Sequence, residues 1–357
     1  MIPVLRPYFT EEQIKNIKEE LGKILKIGWI GQGPKVQELE EKWAKFTGAK
    51  YAVATNSCTS ALDIAVRLMD WKIGKVVTVS PFTFVSSALC ASNAGYPVKF
   101  VDIDKNSLCT KKADIQVMYA GNQFGEGIIY DMAHSGGAKH KGLISCWSFH
   151  AVKNLPAGDG GMITMNDKKL YERAKALAWC GIDKSTFQRS GKKYNWDYNI
   201  NVAGLKAHMN DITAIIALEK LKTLKEDNKY RKELANTYDK HLPKWIKRPY
   251  RSKTWHLYTI QIPERDGLMD YLASVGIGTG LHYKPLYKYP IFSQKELPIT
   301  EKVFKNIITL PLHLGLSVSE VKNICEHIQF YFQEKGINRY PRTGTGKTSR
   351  SNRNRRR

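Results

Sequence analysis

Between Tyr51 and Met165 the chain repeats one pattern: a short apolar run, one or two polar residues, then a helix-like or glycine-containing connection. The runs are YAVAT (51–55), VVTVS (76–80), VKFVDI (98–103), GIIYD (127–131), LISCWSF (143–149) and GMITM (161–165). Runs this short, bounded by turn residues and rich in β-branched side chains, read as buried strands rather than helices. Their alternation with helical stretches predicts an α/β sheet with helices on its faces.

The flanking sequence carries helix punctuation. In TEEQIKNIKEELGKILKIG, Thr10 and Gln13 have capping-box spacing, Ile14, Ile17, Leu21 and Ile24 form one stripe, and Gly28 marks the stop. Pro34 suits a first helical position, Val36, Leu39, Trp43 and Phe46 give the next stripe, and Gly48 ends it. After YAVAT, the segment NSCTS opens a third helix through Ala61, Leu62, Ala65 and Leu68. A helix over 209–226 then leads into a part that mixes short strands, such as WHLYTIQI, with helices. The expected organisation is an N-terminal segment and large domain over 1–226, a smaller α+β domain over 227–338, and a tail over 339–357.

Charge needs dividing before it is interpreted. The formal net charge is +23, and eight of those positive charges lie in NRYPRTGTGKTSRSNRNRRR, which has no acidic residue. Low complexity and a lack of apolar side chains predict disorder there, with at most non-specific affinity for polyanions. GTGKT resembles a phosphate-binding loop but lacks the preceding strand and the full spacing. No zinc pattern or RNA-binding signature occurs elsewhere, so no specific nucleic-acid partner is expected. The six cysteines are scattered without a C-x-x-C pair, which predicts neither a disulfide framework nor a metal site. With no bilayer-length apolar run and no charged-then-apolar leader pattern in MIPVLRPYFTEEQ, the expectation is a cytoplasmic protein with no membrane partner.

Several strands end in polar groups that an open α/β sheet gathers at its carboxyl edge, where such sheets bind ligands. YAVAT leads to Ser57, Cys58 and Thr59 at a helix start, which is a phosphate site or an ordinary cap. VVTVS leads to Phe84, which stacks on a planar ligand or packs in the core. GIIYD ends in Asp131, with His134 three residues on, and a carboxylate closing an apolar strand needs a partner. LISCWSF supplies Ser148, and Lys153 follows before the glycine loop, either as one more solvated charge or as a nucleophile. A pyridine aldehyde phosphate uses all of these together: a carboxylate for the ring nitrogen, a lysine for the aldehyde and a helix start for the phosphate.

In order along the chain, GWIGQGPKVQELE, NSCTSALDIA, PFTFVSS, YDMAHSGGA, SFHAVKNLPAGDGG, HYKPLY and TLPLHLGLS resemble the DegT/DnrJ/EryC1/StrS family of nucleotide-sugar aminotransferases. The likeness is collinear from GWIGQGPKVQELE to TLPLHLGLS and covers most of the chain except the basic tail. It implies fold type I: a large domain with a mostly parallel mixed sheet flanked by helices, and a smaller C-terminal α+β domain. It further implies pyridoxal 5'-phosphate, a nucleotide-linked keto-sugar, glutamate or glutamine as amino donor, and a homodimer with shared active sites. By position, Lys153 forms the Schiff base and moves the proton, Asp131 holds the pyridinium N–H, Phe84 stacks on the ring and His134 lies near the ring hydroxyl. Ser57, Cys58, Thr59 and Ser148 hold the phosphate, and His150, His282 and Tyr283 lie near the substrate.

Three departures accompany the likeness. Cys58 stands where the family usually has glycine, a tolerable change where backbone makes the contacts. The segment from Lys105 to Tyr130 is short, so a helix on the outer face of the sheet is expected to be missing. GLKAHMND carries Lys206 where many members have an asparagine that reaches a neighbouring subunit's phosphate; the lysine serves there as a point charge or is an ordinary surface residue. Lysine rather than histidine at 153 favours transamination over the dehydration some members perform. Sugar dehydration, an idle paralogue that keeps the cofactor, and a charge-driven nucleic-acid module remain open as alternatives.

Overall fold

The computed structural model describes residues 1–182, 197–248 and 253–337, so the tail expected to be disordered lies outside the described residues. The six apolar runs form β1 (Tyr51–Thr55), β2 (Val77–Val79), β3 (Val98–Phe100), β5 (Ile129–Asp131), β6 (Ile144–Ser148) and β7 (Gly161–Met165). A further strand, β4 (Ile115–Val117), lies in the short segment and has Gln116 at its centre, which hides it from an apolar-run search. The sheet runs β1-β7-β6-β5-β4-β2-β3; β7 is antiparallel to both of its neighbours and every other pair is parallel.

A mostly parallel sheet must be covered on both faces. On one face Val53, Val79, Ile115, Ile129, Ile144 and Ile163 pack with α3 (Cys58–Leu68), α4 (Ser86–Asn93) and α5 (Lys168–Ala178). On the other, Ala52, Tyr130, Trp147 and Met162 pack with α2 (Pro34–Thr47) and α6 (Asp211–His241). The first helix, α1 (Glu11–Ile27), packs on α6 and starts with both bonds of the Thr10–Gln13 capping box; Gly28 and Gly48 end α1 and α2 in the left-handed conformation.

No α-helix lies in the connection from β3 to β4 or from β4 to β5. Gln116 supplies the closure a helix otherwise gives. Its buried amide accepts from the Thr110 hydroxyl and donates to the carbonyls of Thr110 and Phe124, pinning the loop to the sheet. The loop comes in so close at Gly125 (φ +87°) that a Cβ there would lie 2.2 Å from the Thr110 oxygen.

The helix expected to end at Glu226 continues to His241, because the intervening sequence has neither Gly nor Pro. Its far end packs against a smaller unit: the antiparallel pair β8 (Tyr258–Gln261) and β9 (Ile307–Leu310), with α7 (Arg265–Ser274), α8 (Pro298–Asn306) and α9 (Val318–Glu334). Among the described residues no helix is long and apolar enough to cross a membrane.

One buried carboxylate joins the start of α6 to the start of α2. Asp211 accepts backbone N–H groups from Gly33 (2.9 Å), Lys35 (3.2 Å) and Val36 (3.0 Å). Asp211→Ala leaves buried donors without an acceptor and should lower stability by roughly 2 to 4 kcal/mol, read as a lower urea midpoint. Asp211→Asn should fall between the two.

Candidate active site

The carboxyl ends of β1, β2, β5 and β6 open into one cavity of about 340 Å³ between the large sheet and the smaller unit. Its walls contain Ser57, Cys58, Thr59, Phe84, Asp131, His134, Ser148, His150, Lys153, His282 and Tyr283. Of the site residues expected from sequence, Lys206 alone is elsewhere: its Nζ lies 5.4 Å from the centre of the Trp179 ring, outside this cavity.

Asp131 ends β5 and is buried. One carboxylate oxygen accepts the Ser87 hydroxyl at 2.6 Å and the other accepts the Ala133 N–H at 3.0 Å. Burial pushes its pKa up, and those two bonds and the charge of Lys153 pull it back only in part. A buried carboxylate in this condition is an acceptor suited to a cationic N–H. Lys153 follows β6 by way of a turn in which its N–H donates to the His150 carbonyl. Removal from bulk water lowers its amine to about 8, against the pull of Asp131 and Cys58. An amine near 8 has an appreciable neutral fraction at physiological pH, the form that attacks a carbonyl.

The start of α3 forms the third part of the site. Ser57 caps it, its Oγ accepting the Ser60 N–H at 3.1 Å, while its carbonyl accepts the Ala61 N–H. The N–H groups of Cys58 and Thr59 have no acceptor among the described residues. Hydroxyls ring them: Thr59 and Ser86 are 2.7 Å apart, and Ser148, at the end of β6, lines the same cavity. Free N–H groups, a helix dipole and hydroxyls make an anion cradle. Gly161 lies directly beneath it: a Cβ there would sit 2.5 Å from the Ser57 carbonyl and 2.6 Å from the Cys58 nitrogen. Burial pushes the Cys58 thiol well up, so at this position cysteine acts as a small neutral side chain.

Phe84 is largely exposed at the cavity wall, with its ring 6.5 Å from that of Tyr283, so a planar group can lie against it. His134 accepts the Ala120 N–H at Nδ1 (3.2 Å), which puts its hydrogen on Nε2, facing the Tyr283 hydroxyl at 3.1 Å. Burial and the nearby charge of Lys153 push His134 well down, keeping it neutral. The smaller unit supplies His282, whose Nδ1 is 3.0 Å from the Thr309 hydroxyl and whose pKa burial lowers to about 4. His150 stands exposed on the rim.

Sequence reasoning passed over Ser87, although PFTFVSS contains it, because its role depends on α4 turning it toward Asp131. It also passed over His256, which the fold brings to 3.5 Å from the Lys153 amine although it lies 103 residues away. A histidine two residues before a strand was the only signal.

Buried carboxylate, lowered amine and anion cradle on one cavity are the donor set that pyridoxal phosphate requires, and the residues present fit it. A profile of the DegT/DnrJ/EryC1/StrS aminotransferase family matches residues 11–122 and 118–329. The spore coat polysaccharide biosynthesis protein SpsC of Bacillus subtilis (strain 168) is 29% identical over 379 residues, covering 92% of this chain and 96% of that protein. A putative sugar aminotransferase of Streptococcus pneumoniae, solved in a PMP form, is 25% identical with a TM-score of 0.83 over 94% of this chain and 100% of that one. The fold is also that of Helicobacter pylori PseC, an aminotransferase involved in the biosynthesis of pseudoaminic acid: TM-score 0.84, 24% identity, 93% of this chain and 99% of that one.

Gly161→Ala presses a methyl group into the cradle. Spectral titration with pyridoxal phosphate should show affinity reduced about tenfold or more, the effect of roughly 1–3 kcal/mol of overpacking. Gly22→Ala, in open space on α1, should titrate like wild type.

Proposed function

The chain belongs to the DegT/DnrJ/EryC1/StrS aminotransferase family, and on that footing we propose that it moves an amino group from glutamate or glutamine to a nucleotide-linked keto-sugar. The observation that carries this reading is the pairing of Asp131 and Lys153 on one cavity beside the start of α3. When bound, pyridoxal phosphate supplies an aldehyde carbon that condenses with primary amines and a ring that accepts the electron pair of a broken C–H bond.

The residues divide that work. Lys153 would be the covalent attachment point for the cofactor, and its amine would be the group that takes up and returns a proton there. An amine lowered to about 8 suits both tasks, since it gives up and regains a proton near neutral pH. Asp131, held by Ser87 and Ala133, would accept the N–H of the cofactor's ring and keep that proton in place. The Cys58 and Thr59 N–H groups, with Ser57, Thr59 and Ser148 hydroxyls, would hold the phosphate. Phe84 would stack on the ring and His134, oriented by Ala120 and Tyr283, would bind the ring hydroxyl.

His150, His282 and Tyr283, which line the same cavity, would contact the sugar. With the eight charges of the tail set aside the chain still carries +15, which suits a substrate that brings a diphosphate. In this reading the enzyme is a cytoplasmic homodimer, and Lys206, which is outside its own chain's cavity, serves the partner subunit's phosphate site. Residues 1–226 form the cofactor domain and 227–338 the smaller domain that closes over the substrate.

With pyridoxal phosphate bound, glutamate or glutamine should bleach the yellow absorbance, and a nucleotide-linked 3-keto or 4-keto sugar should restore it with release of an amino-sugar. Absence of bleaching with every amino donor would overturn the proposal. Asp131→Asn removes the charge that holds the ring proton and should slow the glutamate-driven bleaching by about a hundredfold or more, with the fold intact by circular dichroism.

A further inference from the structure

Resting on the reading of Lys153 above, we infer that His256 is its positioning residue: the imidazole Nε2 lone pair receives one N–H of the lysine amine and holds it toward the cavity. The distance from Lys153 Nζ to His256 Nε2 is 3.5 Å, long for such a bond, as catalytic contacts often are before ligand binds. His256 belongs to the smaller unit, two residues before β8, and is 1% exposed.

The tautomer follows from the neighbours. Asn154, the residue after Lys153, donates its two amide hydrogens to the Asn228 side-chain oxygen (2.7 Å) and the Thr254 carbonyl (2.6 Å). A carbonyl can only accept, so the Asn154 nitrogen must face it. Asn228 in turn donates to the Gly136 carbonyl (2.9 Å), leaving its own oxygen to accept. The Asn154 oxygen is thereby turned to His256 Nδ1, 3.1 Å away. That oxygen accepts, so Nδ1 carries the hydrogen and Nε2 presents a lone pair to Lys153. His134, whose ring centre is 4.4 Å from that of His256, has the opposite tautomer, with its hydrogen on Nε2.

His256 is neutral as well as oriented. Burial pushes its pKa well down, and the charges of Lys153 and Arg231 act in the same direction. The groups acting on Lys153 itself are Asp131 at the end of β5 and Cys58 on α3, with His134, His256 and His282 around the cavity. A carboxylate in the place of His256 would form an ion pair and retain the ammonium proton. A neutral acceptor gives the amine direction while leaving it free to lose that proton.

Two measurements on the cofactor-free protein test this. Nitrogen-15 NMR of histidine-labelled wild type reads the tautomer directly: His256 should be protonated at Nδ1 and bare at Nε2 at pH 7.5. The pH dependence of Lys153 labelling by an amine-reactive reagent, followed by peptide mass spectrometry, reads the amine. Wild type should titrate near 8; His256→Phe, which removes the acceptor, should titrate lower by roughly one unit; His256→Gln, whose amide oxygen can accept, should restore it. With cofactor and glutamate, His256→Phe should bleach about tenfold or more slowly, while Km for the sugar stays within twofold. A hydrogen on His256 Nε2, or a Lys153 midpoint in His256→Phe equal to wild type, overturns the inference. Because neither deciding readout uses the cofactor, attachment of the cofactor at another lysine would defeat the proposed function and leave this result standing.

Discussion

Asp131 and Lys153 sit in the wall of one cavity, and burial pushes each toward its neutral form: the carboxyl upward, the amine down to about 8. Each partly restores the other's charge without forming an ion pair. That balance is costly for a folded chain, because a direct pair or an apolar substitution would relieve it. Sites that retain such groups generally use them. A ligand that brings a cationic N–H to the carboxylate and a carbonyl to the amine resolves both strains at once.

The rest of the fold serves this arrangement. Asp131 is fixed because β5 ends there and because α4 delivers Ser87 to it. Lys153 is fixed because β6 ends in a turn beside the antiparallel β7. The first residue of β7, Gly161, lets that strand pass under the start of α3 and so places the anion cradle on the same cavity. The smaller unit contributes His256, His282 and Tyr283, so the site is complete only when both sheets are packed along α6.

Features set by local chemistry were legible in the sequence. The Thr10–Gln13 cap, the glycine stops and the strand-end positions of Asp131, Ser148 and Lys153 each follow from a few adjacent residues. The family likeness then gave those positions their chemistry. Features set by distant packing were not legible. Strand β4 is apolar only at its ends, because Gln116 is needed to pin a loop where a helix is missing. The helix α6 outruns its expected end because the second half of its apolar face belongs to a different core from the first. His256 meets Lys153 only when the smaller unit packs over the cavity, a separation no short motif can encode.

The account stands on Lys153 as the cofactor's attachment point, and borohydride reduction of the yellow protein tests that most directly. Reduction should fix the phosphopyridoxyl group on the peptide that contains Lys153, and Lys153→Ala should leave no fixed label in a protein that still folds. A label fixed on any other lysine, or an equal label in Lys153→Ala, would contradict it.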